Sequence, residues 1–195
     1  MKKVALVVEG ESDEVFWEKV LNKEFSGRCR FKVMKQHGRP NVALESGKLV
    51  EAFRGAKYDA VFFLVDLDSD PCFSAVKEIF PLSVRESAAE PLERRSIHIC
   101  IARREFESWL LADEHAIRAA LPNVQYSCTE PTDQHHSKGR LKRLIHEDRG
   151  AGAAFREPAF AREMAPHFSP QKAMPWSVSF AHFWTRISSI VEGGK

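Results

Sequence analysis

The sequence predicts an α/β fold, a mostly parallel four-stranded sheet flanked by helices, with a helical C-terminal extension. Three observations carry this. Four short apolar runs fall within the first hundred residues: Val4-Ala5-Leu6-Val7-Val8, residues 31–34, Ala60-Val61-Phe62-Phe63-Leu64-Val65 and Ser96-Ile97-His98-Ile99-Cys100-Ile101. Segments with helical spacing separate them. Beyond residue 106 the helical spacing continues without another strand-like run. Strands alternating with helices require crossover connections, which give parallel pairing and right-handed units.

Each element has a local reason. Val4 to Val8 is apolar at every position, as a strand covered on both faces must be. From Ser12 the period changes: Trp17, Val20, Leu21 and Phe25 form one helical stripe. Ser12 can cap that helix, Asp13 and Glu14 suit the positive end of its dipole, and Gly27 can end it. A second helix over 40–56 carries Val42, Leu49, Val50 and Phe53, with Pro40 in or near its first turn. A third, over 72–87, should be interrupted by Pro81. Phe106, Trp109 and Leu110 open a helical segment that resumes over 114–121. Residues 122–137, polar and holding two prolines, read as a long loop. Further helices are expected over 138–147, 157–165 and 177–191.

With 195 residues, 44% of them apolar, the chain fits one domain, residues 1–195, with a core over 1–121 and a helical extension over 138–192. Fourteen Phe and four Trp are too much apolar mass for disorder. No apolar stretch is long enough to cross a membrane, and Met1-Lys2-Lys3 leads into too short a run for a signal peptide, so a cytoplasmic location is expected. Cys29, Cys72, Cys100 and Cys128 are widely spaced, which points to free thiols rather than a zinc site. Net charge is only +2, but residues 135–172 hold eight Lys/Arg against four acids. Lys138, Arg140, Lys142 and Arg143 could face phosphates there, or form a solvated helix face. The adjacent pair His135-His136 reads as surface. No GxxxxGK[ST] loop, GxSxG elbow or dinucleotide-type glycine pattern is present.

The acids fall where an open parallel sheet binds ligands, beyond the carboxyl ends of its strands. Glu9 follows the first strand, with Asp13 one turn further on. Asp66, Asp68 and Asp70 follow the third. Glu105 and Glu107 follow the fourth. If strands one, three and four are neighbours, these carboxylates gather at one rim, where like charges raise each other's pKa. One or two Mg²⁺ or Mn²⁺ ions would relieve the repulsion, because hard cations take oxygen ligands. In an extended chain Asp66 and Asp68 would point to one side and could share a metal. The competing reading for Asp70 is turn chemistry, and for Glu105 and Glu107 helix capping.

Val8-Glu9-Gly10-Glu11-Ser12-Asp13 together with Asp66-x-Asp68 resembles the Toprim fold of DnaG-type primases, topoisomerases and overcoming-lysogenisation-defect nucleases. The resemblance spans about residues 3–101 and implies a metal site at Glu9, Asp66 and Asp68, supported by Asp13 and Asp70. Ala102-Arg103-Arg104-Glu105-Phe106-Glu107-Ser108-Trp109-Leu110-Leu111-Ala112-Asp113 is similar to a bacterial Toprim-like family of unknown function associated with phage defence. Lys138, Leu141 and Phe168-Ser169-Pro170 match its tail. The expectation is a metal-dependent nuclease or phosphodiesterase acting on DNA or RNA. Glu9, Asp66, Asp68 and Lys138 would be catalytic, and Glu105 or Glu107 would complete a second metal site. The alternatives are a small-phosphoester hydrolase and a non-catalytic module binding an ATPase or another defence protein.

Overall fold

The computed structural model describes residues 1–90, 96–133 and 136–193. Its strands are β1 (Lys2–Val8), β2 (Cys29–Lys35), β3 (Ala60–Asp66) and β4 (Ile97–Ala102). They form one sheet in the order β2-β1-β3-β4, and every pairing is parallel. The expected neighbours one, three and four are therefore adjacent.

The first crossover, α1 (Glu11–Phe25), lies on one face of the sheet. The second, α2 (Arg39–Gly55), lies on the other, with α3 (Phe73–Glu78) and α4 (Leu82–Ala89). Alternation within each strand divides the core. Val4, Leu6 and Val8 pack with α1, whereas Ala5 and Val7 pack with α2. The first crossover runs from β1 to β2 and the second from β2 back past β1 to β3, in the opposite direction, and right-handed connections then require opposite faces. The reversal of direction lies between β1 and β3, the position at which an open α/β sheet leaves a crevice beyond its carboxyl ends.

The C-terminal helices all thicken the α1 face. They are α5 (Glu107–Leu111), α6 (Glu114–Ala120), α7 (Ser137–Arg149), α8 (Glu157–Met164), α9 (Pro170–Ala173) and α10 (Val178–Glu192). Residues of α1 and of α8 to α10 share one buried cluster. Its centre is aromatic: Trp17 meets Phe16, Trp109 and Phe183 edge-on, with ring centroids 5.1, 5.9 and 4.9 Å away. Such geometry adds about 0.5–1.5 kcal/mol per pair beyond area burial.

Boundaries follow local chemistry. Pro81 ends up as the N-cap of α4, separating it from α3. The Asp113 carboxylate accepts hydrogen bonds from His115 N and Ala116 N and so caps α6. The short α9 and the 3₁₀ turn after it, Met174–Trp176, had no periodic signal in sequence. A buried polar knot ties the extension down. Asp133 accepts from Ser177 Oγ at 2.6 Å and from Ser179 N at 2.9 Å, and Trp109 Nε1 donates to Ser179 Oγ at 2.8 Å. No helix is long and apolar enough to cross a membrane among the described residues.

Candidate metal centre

Four carboxylates converge on the crevice between β1 and β3. Glu9 leaves β1, and its Oε1 accepts a hydrogen bond from Asp66 N, the last residue of β3, at 2.7 Å. This bond locks the ends of two adjacent strands together through a carboxylate. Gly10 follows in extended conformation as the N-cap of α1, and Asp13 Oδ2 accepts its N–H at 3.2 Å. A Cβ on Gly10 would stand 3.2 Å from Asp13 Oδ2, so the side chain fits tightly because residue 10 has none. Glu107 enters from the far side, at the first turn of α5.

Burial and mutual repulsion set the electrostatics. Asp13 is 9% exposed and Glu107 7%. The Asp13 carboxyl is pushed up to about 7, first by burial and then by Glu107 and Glu9. Glu107 is pushed up to about 7 mainly by burial, with Lys138 opposing. Asp66 is raised well above the usual carboxylate range by burial, then by Asp13, Glu9, Glu107 and Asp68. Glu9 is raised by burial, and the Asp66 N–H and Arg39 partly offset this. These acids feel one another, and among the described residues only the partly exposed Arg39 and Lys138 oppose them, with no fully buried Lys or Arg, an arrangement found where a site is built for positive charge.

The remaining acids behave differently. Asp68 has φ 50°, left-handed, so the extended alternation that would align it with Asp66 stops at the strand end. Its side chain is 51% exposed. Its backbone is held across the sheet: Asp68 N donates to Arg104 O at 2.7 Å, and Arg104 Nη1 donates back to Asp68 O at 3.0 Å. Asp70 is engaged by Arg39 Nη1 at 2.6 Å. Glu105 Oε2 accepts from Lys138 N at 2.8 Å, which caps the first turn of α7. The structure thus separates two acids that sequence left equivalent: Glu107 faces the cluster and Glu105 holds a helix.

Arg39 was not singled out by sequence. It also donates to Asp66 O at 2.9 Å, so one guanidinium braces the exit of β3. Gly38, at φ 106°, donates its N–H to Glu9 O at 2.9 Å and starts α2 there, where a side chain would be strained. The proline beside Arg39 marked a helix start, but nothing local identified its partners on β3.

The four α7 residues expected to face phosphates, Lys138, Arg140, Lys142 and Arg143, do not form one face. At about 100° per residue, Lys138 and Lys142 lie on one side of the buried stripe and Arg140 and Arg143 on the other. Lys138 Nζ pairs with Glu157 at 2.6 Å, while Arg140 lies over the Tyr126 ring at 5.2 Å and reaches Glu130 at 3.9 Å. His136 is described and exposed; His135 lies outside the described residues.

The donor set tests whether a divalent ion suits this crevice. All four inward groups are carboxylates, with no His or Cys, which suits Mg²⁺ or Mn²⁺. No group of three or more His, Cys, Asp or Glu stands close enough to form a ready cage among the described residues. Mg²⁺ does not need one, because it keeps several waters and takes one or two carboxylates. The uncompensated acids therefore fit a hydrated ion better than a fully enclosed one.

Fold and crevice together define a parallel α/β protein whose carboxyl-end rim gathers acids, four of them with raised proton affinity. The chain belongs to the family described as domain of unknown function (DUF4276), which matches residues 8–188. Among solved structures it is similar to the C-terminal region of the Burkholderia pseudomallei OLD protein. Identity is 13% and the TM-score 0.46, over 95% of this chain and 97% of that one. No curated protein matches the sequence.

Proposed function

We propose that this chain is a divalent-cation-dependent phosphodiester hydrolase acting on DNA or RNA. The observation that carries the reading is the set of four mutually repelling carboxylates, Glu9, Asp13, Asp66 and Glu107, at the switch point of the sheet. Glu9 and Asp66 would be the main ligands of a hydrated Mg²⁺ or Mn²⁺. Asp13 and Glu107 would bind through its waters or hold a second ion, with Asp68 at the solvent side. Bound there, the cation supplies an activated water and neutralises charge on the phosphate. The chain's own part is to hold ligands and protons. The Asp66 N–H holds Oε1 of Glu9, and the backbone N–H of Arg39 also supports this carboxylate. Asp13 and Glu107, with carboxyls near 7, can exchange protons with water at neutral pH. Lys138 is the candidate phosphate contact. Its pair with Glu157 is half exposed and so worth no more than about 1 kcal/mol, which lets an incoming phosphate replace the glutamate.

The test is incubation of the protein with plasmid, single-stranded DNA and RNA in Mg²⁺ or Mn²⁺, beside Asp66→Asn. Expected is cation-dependent cleavage that Asp66→Asn lowers by at least about a hundredfold. Equal cleavage by both proteins would refute the assignment of the residues. Hydrolysis of small phosphate esters alone would redirect it to a different substrate class.

A further inference from the structure

The two edges of the sheet are built differently. The β2 edge carries Arg30, Lys32 and Lys35, the charges with which exposed strands discourage pairing. The β4 edge, Ile-His-Ile-Cys-Ile-Ala, carries no Lys, Arg, Asp or Glu, although no strand lies beyond it among the described residues.

A groove of about 160 Å³ opens along that edge. Three consecutive residues of β4, Ile99, Cys100 and Ile101, line it. Consecutive residues point to opposite faces, so the groove follows the strand's side rather than either face. Helices of both layers form its walls, with exposed Phe73 from α3 and Val178 from α10 at the lips. The hydrogen-bond phase leaves backbone groups available. Val61 N donates to Ser96 O and Leu67 N to Ala102 O, so even-numbered residues of β4 face β3. Period-two alternation then turns the N–H and C=O of Ile99 and Ile101 toward the groove.

The charge around the groove is mainly positive. Lys77, Arg103 and Arg186 line it, and Lys77, Arg186 and Arg85 line an adjoining hollow of about 440 Å³. None of the four enters an ion pair with a described residue, and Arg85 Nε is buried without a hydrogen-bond partner among them. Asp133 also lines the groove, but its carboxylate is consumed by Ser177 and Ser179. Glu78 is the other carboxylate lining these two hollows.

We infer that the β4 edge is the docking site for an extended, acidic segment of a partner protein, which adds a fifth strand to the sheet. Backbone pairing with Ile99 and Ile101 supplies the register, apolar side chains seat between Phe73 and Val178, and acidic ones meet Lys77, Arg103 and Arg186. A second copy of this chain fits less well, because edge-to-edge pairing would bring the same cations face to face. A polynucleotide could use the cations but offers nothing to the strand's amide groups.

The experiment uses the full chain and a capped nonapeptide alternating valine with glutamate. Controls are its lysine counterpart, a version with proline at the central valine, and a short single-stranded DNA. Binding is followed by fluorescence anisotropy, and amide exchange by NMR. Expected is binding of the glutamate peptide alone, with exchange of the Ile99 and Ile101 amides slowed. The double variant Lys77→Glu, Arg186→Glu should weaken it at least about tenfold without changing Tm. Equal binding of the proline or lysine peptide, protection elsewhere, or no binding at about 200 µM would overturn the inference. DNA binding that the double variant abolishes, with the β4 amides unprotected, would also overturn it and assign the groove to nucleic acid.

Discussion

The two faces of the sheet treat the same residue type in opposite ways. On the α1 face, Asp13 and Glu107 are buried on α1 and α5, the helices that also carry the buried rings of Phe16, Trp17 and Trp109. Both carboxyls are pushed up to about 7. Among the described residues, the α2 face carries only α2, α3 and α4. There Asp70 pairs with Arg39 at 2.6 Å, and Asp68 stands half in water. The difference teaches that burial, reinforced by repulsion among neighbouring acids, raises proton affinity on one side of this crevice, while water and Arg39 surround the acids on the other.

The aromatic layer is the first place to break that contrast. Trp109→Ala removes a fully buried ring and the donor to Ser179 Oγ, and should cost about 3–5 kcal/mol in urea unfolding. The loss should admit water beside Glu107 and lower its titration midpoint, read by carboxyl NMR. An unchanged midpoint would separate the extension from the site.

Glu107→Gln sharpens the contrast without a cavity. The folded carboxyl takes up protons more tightly than the unfolded one, which titrates near 4.5. The folded state therefore binds more protons between 4.5 and about 7, and stability falls as pH rises through that window. At about pH 8 the ionised glutamate is unfavourable where it lies, so the neutral isostere should be more stable, by on the order of 2–3 kcal/mol. At about pH 4 the two proteins should melt together. The same Tm difference at both pH values would contradict the assignment.

Arg39→Ala acts on the thin face and should do least. It removes a partly exposed brace from Asp66 O and Asp70 and is expected to cost about 1–2 kcal/mol. With the guanidinium gone, Glu9 should titrate higher still, because Arg39 holds it down. Lower Glu9 affinity for protons in the variant would reverse the account.

Much of this frame was legible in the sequence. Apolar runs located all four strands, and Glu9, directly after β1, and Asp66, the last residue of β3, proved to be joined by a hydrogen bond. What remained illegible depended on distant partners. Glu105 and Glu107 are two residues apart at one helix start, and only the position of α7 decides which of them becomes a cap. Asp68 was aligned with Asp66 by strand alternation, but a left-handed turn at residue 68 ends that alternation. Lys138 carried no sign that Glu157, nineteen positions later, would hold its ammonium. β4 is apolar on both faces although it lies at an edge, so apolarity alone did not give its place in the sheet.

The most direct measurement is the pH dependence of thermal stability with and without Mn²⁺, for the wild type and Asp66→Asn. Without the cation, wild-type Tm should fall from about pH 5 to about pH 8, as the raised carboxyls are forced to ionise in place. Mn²⁺ should restore it, more at the higher pH, because ligands must be deprotonated to bind. Asp66→Asn should start less pH-sensitive and gain little from Mn²⁺. A flat wild-type profile, or an equal Mn²⁺ gain in both proteins, would contradict a cation-binding role for these carboxylates.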